Sequence, residues 1–192
     1  MIIAGADASG DEKNGQRRYI SFVVGTKEKI NSLYDEIGLR EIHMVRLDEK
    51  QKERVIRILD FTKSDILAWC LKVDKQHIVD YMYNHPRLNN KHKTRARILN
   101  HFDRLILEKV RNKMEKFTYS HEKGLEDVSV QCEVDMEDTV KVWQMNPQFE
   151  GRAYEISDAI AWCNEKGKRL KGCKELNLSE YLKTKMEYDL LK

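Results

Sequence analysis

Residues Ile66 to Leu71 (Ile-Leu-Ala-Trp-Cys-Leu) are apolar on both of the faces a strand presents, and no other run constrains the fold as tightly. A strand apolar on both sides has to be covered on both sides. The run therefore predicts the centre of a sheet lying between two layers. Around it the chain reads as short strands and helices in alternation. Ile2 to Asp7 is a short apolar strand running into turn-forming residues, and Tyr19 to Val24 is a β-branched and aromatic strand stopped by Gly25. Their separation predicts an antiparallel hairpin. A short helix near Lys27 to Ile37 ends at Gly38, and Arg40 to Met44 reads as a short third strand.

Asp48 with Gln51 three residues later has the spacing of a capping box, which starts a helix whose apolar face (Val55, Ile56, Ile58, Leu59) runs to about Phe61. Thr94 to Phe117 is the strongest helical pattern, with Ile98, Phe102, Leu105, Ile106, Val110, Met114 and Phe117 on one stripe. Val128 to Asp135 alternates as a strand should, with Glu133 and Asp135 on one side. Helices from about Gly151 to Asn164 and from about Ser179 complete the order. The pattern is that of an α/β sandwich with an antiparallel opening and parallel additions.

Composition narrows the function classes. No apolar run approaches the ~20 residues that span a bilayer, and the first residues lack a basic-then-apolar signal pattern. The four cysteines, Cys70, Cys132, Cys163 and Cys173, form no CxxC pair, so neither a zinc ribbon nor a thioredoxin-like site is encoded, and a cytoplasmic location with reduced thiols is expected. The six histidines show no HxxxH spacing. No P-loop, GxGxxG or GxSxG occurs.

The 35 basic and 32 acidic residues nearly cancel, but not locally. Residues 87 to 116 carry ten bases against three acids, and residues 117 to 161 carry three against ten. The basic block includes Lys91, Lys93, Arg95, Arg97 and Arg104, and a second patch holds Lys168, Arg169 and Lys171. Such patches suit phosphate contact, in which neutralised phosphates release counterions, although a solvated helix face has the same composition.

Four carboxylates sit where strands end or helices bury them. Asp7 follows an apolar strand. Asp135 closes the alternating strand, with Glu133 and Asp138 as competitors for the same role. Asp158 lies inside Ile156-Ser157-Asp158-Ala159-Ile160-Ala161, where an ionised group needs a partner. Glu41 stands beside Ile42 and His43. Carboxylates converging from separate elements are what Mg²⁺ or Mn²⁺ chemistry requires, two ions about 3.5–4 Å apart activating water and stabilising a leaving oxygen. Each also has a plainer reading. Asp7 and Ser9 shape turns, Asp158 favours a helix start, Asp135 is a solvated strand end, and Glu41 pairs with Arg40 or Arg46.

Asp7-Ala8-Ser9-Gly10-Asp11, Glu41-Ile42-His43, a carboxylate closing a late strand, and Ser157-Asp158-Ala159-Ile160-Ala161 together resemble the ribonuclease H-like superfamily. The resemblance is closest to its uncharacterised branch with an Asp-Glu-Ser-Gly first-strand motif, from which this chain departs in having Ala8. It covers residues 1–166, with 167–192 as a C-terminal basic segment and helix packed on the same domain. It implies a five-stranded mixed sheet with helices on both faces and a two-metal phosphodiester cleavage. Asp7 would bridge two Mg²⁺ or Mn²⁺ ions, Glu41 and Asp135 would each hold one, and Asp158 would complete the second site. His43, Ser9 and Glu133 would be auxiliary. The expected activity is that of a divalent-metal-dependent nuclease acting on RNA or DNA. The rival expectation is a non-catalytic nucleic-acid- or protein-binding module of the same fold.

Overall fold

A computed structural model of the chain describes residues 2–10, 15–84, 94–103, 105–106, 129–132, 151–179 and 182. β1 (Ile2–Ser9) and β2 (Arg17–Thr26) pair antiparallel as the expected hairpin, from Ile2 opposite Thr26 to Ser9 opposite Tyr19. β1 does not end at Asp7. The ladder continues through Ser9, and the chain turns only at Gly10, whose φ of 85° is the left-handed conformation glycine tolerates.

α1 (Lys27–Ile37) follows, capped by the Thr26 side chain, which accepts from the Lys29 N–H, and closed by Gly38 at φ 66°. α2 (Glu49–Ile58) opens with the full reciprocal capping box of Asp48 and Gln51. It stops at Ile58 rather than near Phe61, because Phe61 N–H turns to the carbonyl of Lys171.

β3 (Leu67–Asp74) pairs antiparallel with β2, and α3 (Lys75–Asn84), not anticipated from the sequence, follows at once. A helix α4 covers residues 95–103 within the expected 94–117 helix. β4 (Ser129–Cys132) lies parallel to β1, α5 (Arg152–Glu165) follows Gly151, and β5 (Lys174–Asn177) lies parallel to β3. Ser179 and Leu182 are helical, as expected there. The sheet order is β4-β1-β2-β3-β5. The molecule is thus a mixed α/β structure, but β2, not the Ile66–Leu71 run, is central.

The strand set also differs from expectation. Arg40 to Met44 is a loop, not a strand. Ile42 and Met44 are buried as alternation suggested, but their N–H groups bond to side-chain carboxylates of α5 instead of to a neighbouring strand. β5 comes from the polar run Lys-Glu-Leu-Asn in the C-terminal segment, where no strand was expected.

Two cores flank the sheet. On one face Ile3, Tyr19, Val23, Ala68 and Cys70 pack against buried residues of α1, α2 and α5. On the other Ala6, Ile20, Phe22, Leu71 and Val73 pack against Ile78, Val79 and Met82 of α3 and Ile98, Leu99 and Phe102 of α4. Period-two alternation in the strands therefore assigns Asp7 and Ser21, which share parity with Ile3 and Val23, to the α5 side. Among the described residues no helix is long and apolar enough to cross a membrane.

Candidate functional site

The site begins with a missing side chain. A Cβ on Gly5 would lie within 3.0 Å of the carbonyl group of Ala153 and the nitrogen of Tyr154, so glycine is what lets α5 lie directly against β1. The Ser21 hydroxyl then joins the two elements, donating to the carbonyls of Asp7 (3.2 Å) and Ser157 (2.7 Å). This contact sets Asp158, one residue further along α5, opposite Asp7.

Asp7 is 6% exposed and Asp158 9%, and their carboxyl groups are within hydrogen-bonding reach of each other. Two buried like charges at that range cannot both ionise freely. Burial holds the Asp7 carboxyl well above the usual carboxylate range and Asp158 pushes it further, while the Ala8 N–H and the Arg18 guanidinium offset this in part.

Asp158 is held from the loop side. Its Oδ2 accepts the Met44 N–H at 2.9 Å and lies 3.5 Å from His43 Nδ1. Three residues earlier on the same helix, Glu155 Oε2 accepts the Ile42 N–H at 2.6 Å and the Tyr34 hydroxyl. Burial raises the Glu155 carboxyl, Glu41 and Asp158 adding to the effect against the hydrogen bonds from Tyr34 and Ile42. Glu155 is not among the residues expected from the sequence. Its spacing from Asp158, three residues on one helix, was the available signal.

The remaining expected residues divide. Glu41 lies on the same loop, but its side chain is 58% exposed and pairs with Arg46 at 3.3 Å. Ser9 donates to Glu165, the last residue of α5. Glu133, Asp135 and Asp138 lie outside the described residues, as do Lys91, Lys93 and Arg104. Arg95 and Arg97 are exposed on α4, across the sheet from Asp7 and Asp158. Lys168 is on the carboxylate side, its Nζ 5.4 Å from the ring centroid of Trp162, with Lys52 Nζ 5.5 Å from the same centroid. Trp162 lies one helical turn beyond Asp158. Arg169 and Lys171 are exposed after α5, and the Lys171 backbone bonds to Phe61.

Among the described residues no group of three or more His, Cys, Asp and Glu side chains is placed to hold a metal ion. The structure brings together Asp7 and Asp158, with His43 at the edge, and leaves Glu41 outside. That pair still fits a hard divalent cation, which takes oxygen ligands and supplies the positive charge that two adjacent buried carboxylates lack.

The charge conflict predicts a measurable pH effect. Because the folded-state pKa of Asp7 is raised, the native state keeps a proton that the unfolded chain releases near 3.8. Stability therefore falls as pH rises from that value through the raised one. In EDTA, Asp7→Asn is expected to exceed the parent at pH 7 by about 1–2 kcal/mol, or roughly 2–8 °C in Tm. The advantage disappears below the ordinary carboxylate range. Thermal unfolding at pH 3.5 and pH 7 checks this, and a variant no more stable than the parent at pH 7 would refute the conflict.

No protein-family model and no curated protein matches this chain.

Proposed function

We propose that this protein is a ribonuclease H-like, divalent-metal-dependent nuclease whose metal site is built on Asp7 and Asp158. The observation that carries the reading is the buried, mutually opposed carboxylate pair, one group from β1 and one from α5, each inside an apolar element where a lone surface acid has no reason to be. The mixed sheet, with its antiparallel opening and β4 parallel to β1, and helices on both faces agree with the fold the motifs resemble. Lys168, over Trp162 one helical turn along α5 from Asp158, supplies positive charge on that face for a phosphodiester backbone, whereas Lys52 over the same ring is paired with Glu49.

In this reading Asp7 and Asp158 would hold Mg²⁺ or Mn²⁺, without Glu41, which the structure leaves paired with Arg46. Bound there, the metal supplies Lewis-acid polarisation of the attacking water and stabilisation of the leaving oxygen. The chain's own part is positional. The Met44 N–H fixes one oxygen of Asp158, the Ser21 hydroxyl fixes the backbone on either side, and His43 sits where it can take or give a proton at Nδ1.

The test is Mn²⁺ binding together with cleavage of labelled single-stranded, duplex and hybrid substrates. Asp7→Ala and Asp158→Ala are expected to weaken Mn²⁺ binding by at least about tenfold and to abolish cleavage, with the circular dichroism of the fold retained. Unchanged Mn²⁺ binding in both variants would overturn the metal site. A second reading rests on a specific contact. Asp158 and Glu155 already anchor the 42–44 loop through its N–H groups, which is sufficient employment for both in a non-catalytic nucleic-acid- or protein-binding module. Metal-independent binding without cleavage would identify that case.

A further inference from the structure

On the α1–α2 side of the molecule a cavity of about 780 Å³ opens between the two helices and the loop from Asp60 to Asp65. Its volume lies in the range of sites that hold small organic ligands. Leu33 and Ile58 give it an apolar patch, and Arg54, Arg57 and Lys63 line it with positive charge.

Of the three acids that share the lining, one is in an ion pair. Asp65 pairs with Lys29. Asp60 accepts the N–H of Thr62 at 3.1 Å and its hydroxyl at 2.5 Å. Arg54, Arg57 and Lys63 take part in no ion pair among the described residues, and Glu36 and Asp60 are the acids left to oppose them.

We propose that this cavity binds an organic phosphate of nucleotide size, independently of the Asp7–Asp158 site. The phosphate oxygens meet Arg57 and Lys63, and the organic part lies on Leu33 and Ile58. Arg54 contributes from the α2 side, where its guanidinium also covers Gly38 at the end of α1. Phosphate is favoured over a carboxylate because three cations line one cavity against two unpaired acids, and phosphate brings more charge and more acceptor oxygens.

The test is calorimetric titration of the full chain with ADP and, separately, with inorganic phosphate. EDTA is present throughout so that no metal bridges ADP to the carboxylate pair. ADP is expected to bind saturably and more tightly than phosphate. Arg57→Ala with Lys63→Ala is expected to weaken ADP by at least about tenfold, the loss of two charge-assisted hydrogen bonds. The double variant keeps the parental Tm and Mn²⁺ binding, and Arg54 is left intact because it also packs on the α1 terminus. Absence of ADP binding at millimolar concentration, ADP binding no tighter than phosphate, or parental affinity in the double variant would each overturn the proposal.

Discussion

Arg18→Met is expected to destabilise the protein by about 3–5 kcal/mol, a large share of the 5–15 kcal/mol typical of a folded domain. Asp103 on α4 is fully buried, and Arg18 Nε and Nη2 reach its Oδ2 at 3.0 and 2.5 Å from β2. Oδ1 of the same carboxylate has no hydrogen-bond partner among the described residues, so the guanidinium is the main compensation for burying it. Burial already raises the Asp103 carboxyl and Arg18 opposes the rise. Without Arg18 the group would stay protonated to higher pH. The native state then holds a proton the unfolded chain has lost, so the variant's deficit should be small in acid and grow as pH rises above the ordinary value. Urea unfolding at pH 4 and pH 7 reads the difference. Arg18→Met with Asp103→Leu should recover most of the loss, since an apolar pair of similar volume tolerates that site. A single variant as stable as the parent at pH 7 would show that the pair does not hold α4 to the sheet.

Gly5→Ala is expected to cost about 3 kcal/mol, the upper end for an overpacked site, because the added carbon meets backbone rather than a side chain that can swing away. In Tm this is roughly 6–12 °C. The effect should also reach the carboxylates. Moving α5 off β1 lengthens the Ser21 to Ser157 bond and separates Asp158 from Asp7. The fall in stability between pH 4 and pH 7 expected of the parent should therefore flatten, and Mn²⁺ binding should weaken with it. A variant that loses Tm but keeps the parental pH slope would show that the helix tilts without parting the pair.

The legible parts of the fold were those whose signals are local. Thr26 to Gly38 carries both of its helix ends, and Asp48 with Gln51 announces α2 before any tertiary contact is known. Asp7 and Asp158 stood out because each interrupts an apolar run. What the sequence concealed was decided by distant partners. Ile42 and Met44 alternate like strand residues, yet the hydrogen bonds that would make a strand go to Glu155 and Asp158, more than a hundred residues away. Lys174 to Asn177 has no alternation and becomes a strand because the outer edge of β3 accepts it. α3 was within reach, since Lys75, Ile78, Val79 and Met82 are buried at helical spacing, but a lysine at its head disguised the apolar face. That lysine is buried because its Nζ donates to the Gly15 carbonyl.

The parallel pairing of β3 with β5 also has a temporal side. Trp69 meets Lys174 and Lys72 meets Asn177, so β3 waits for a partner made more than a hundred residues later. At about 5–20 residues per second of synthesis, the interval is roughly 5–20 s. Throughout it the β3 edge displays unpaired N–H and C=O groups, the template on which nascent chains associate with one another. Closing this edge is then a late event in the birth of the molecule, and its four-residue strand, polar apart from Leu176, acts as a guard against self-association as much as a part of the sheet.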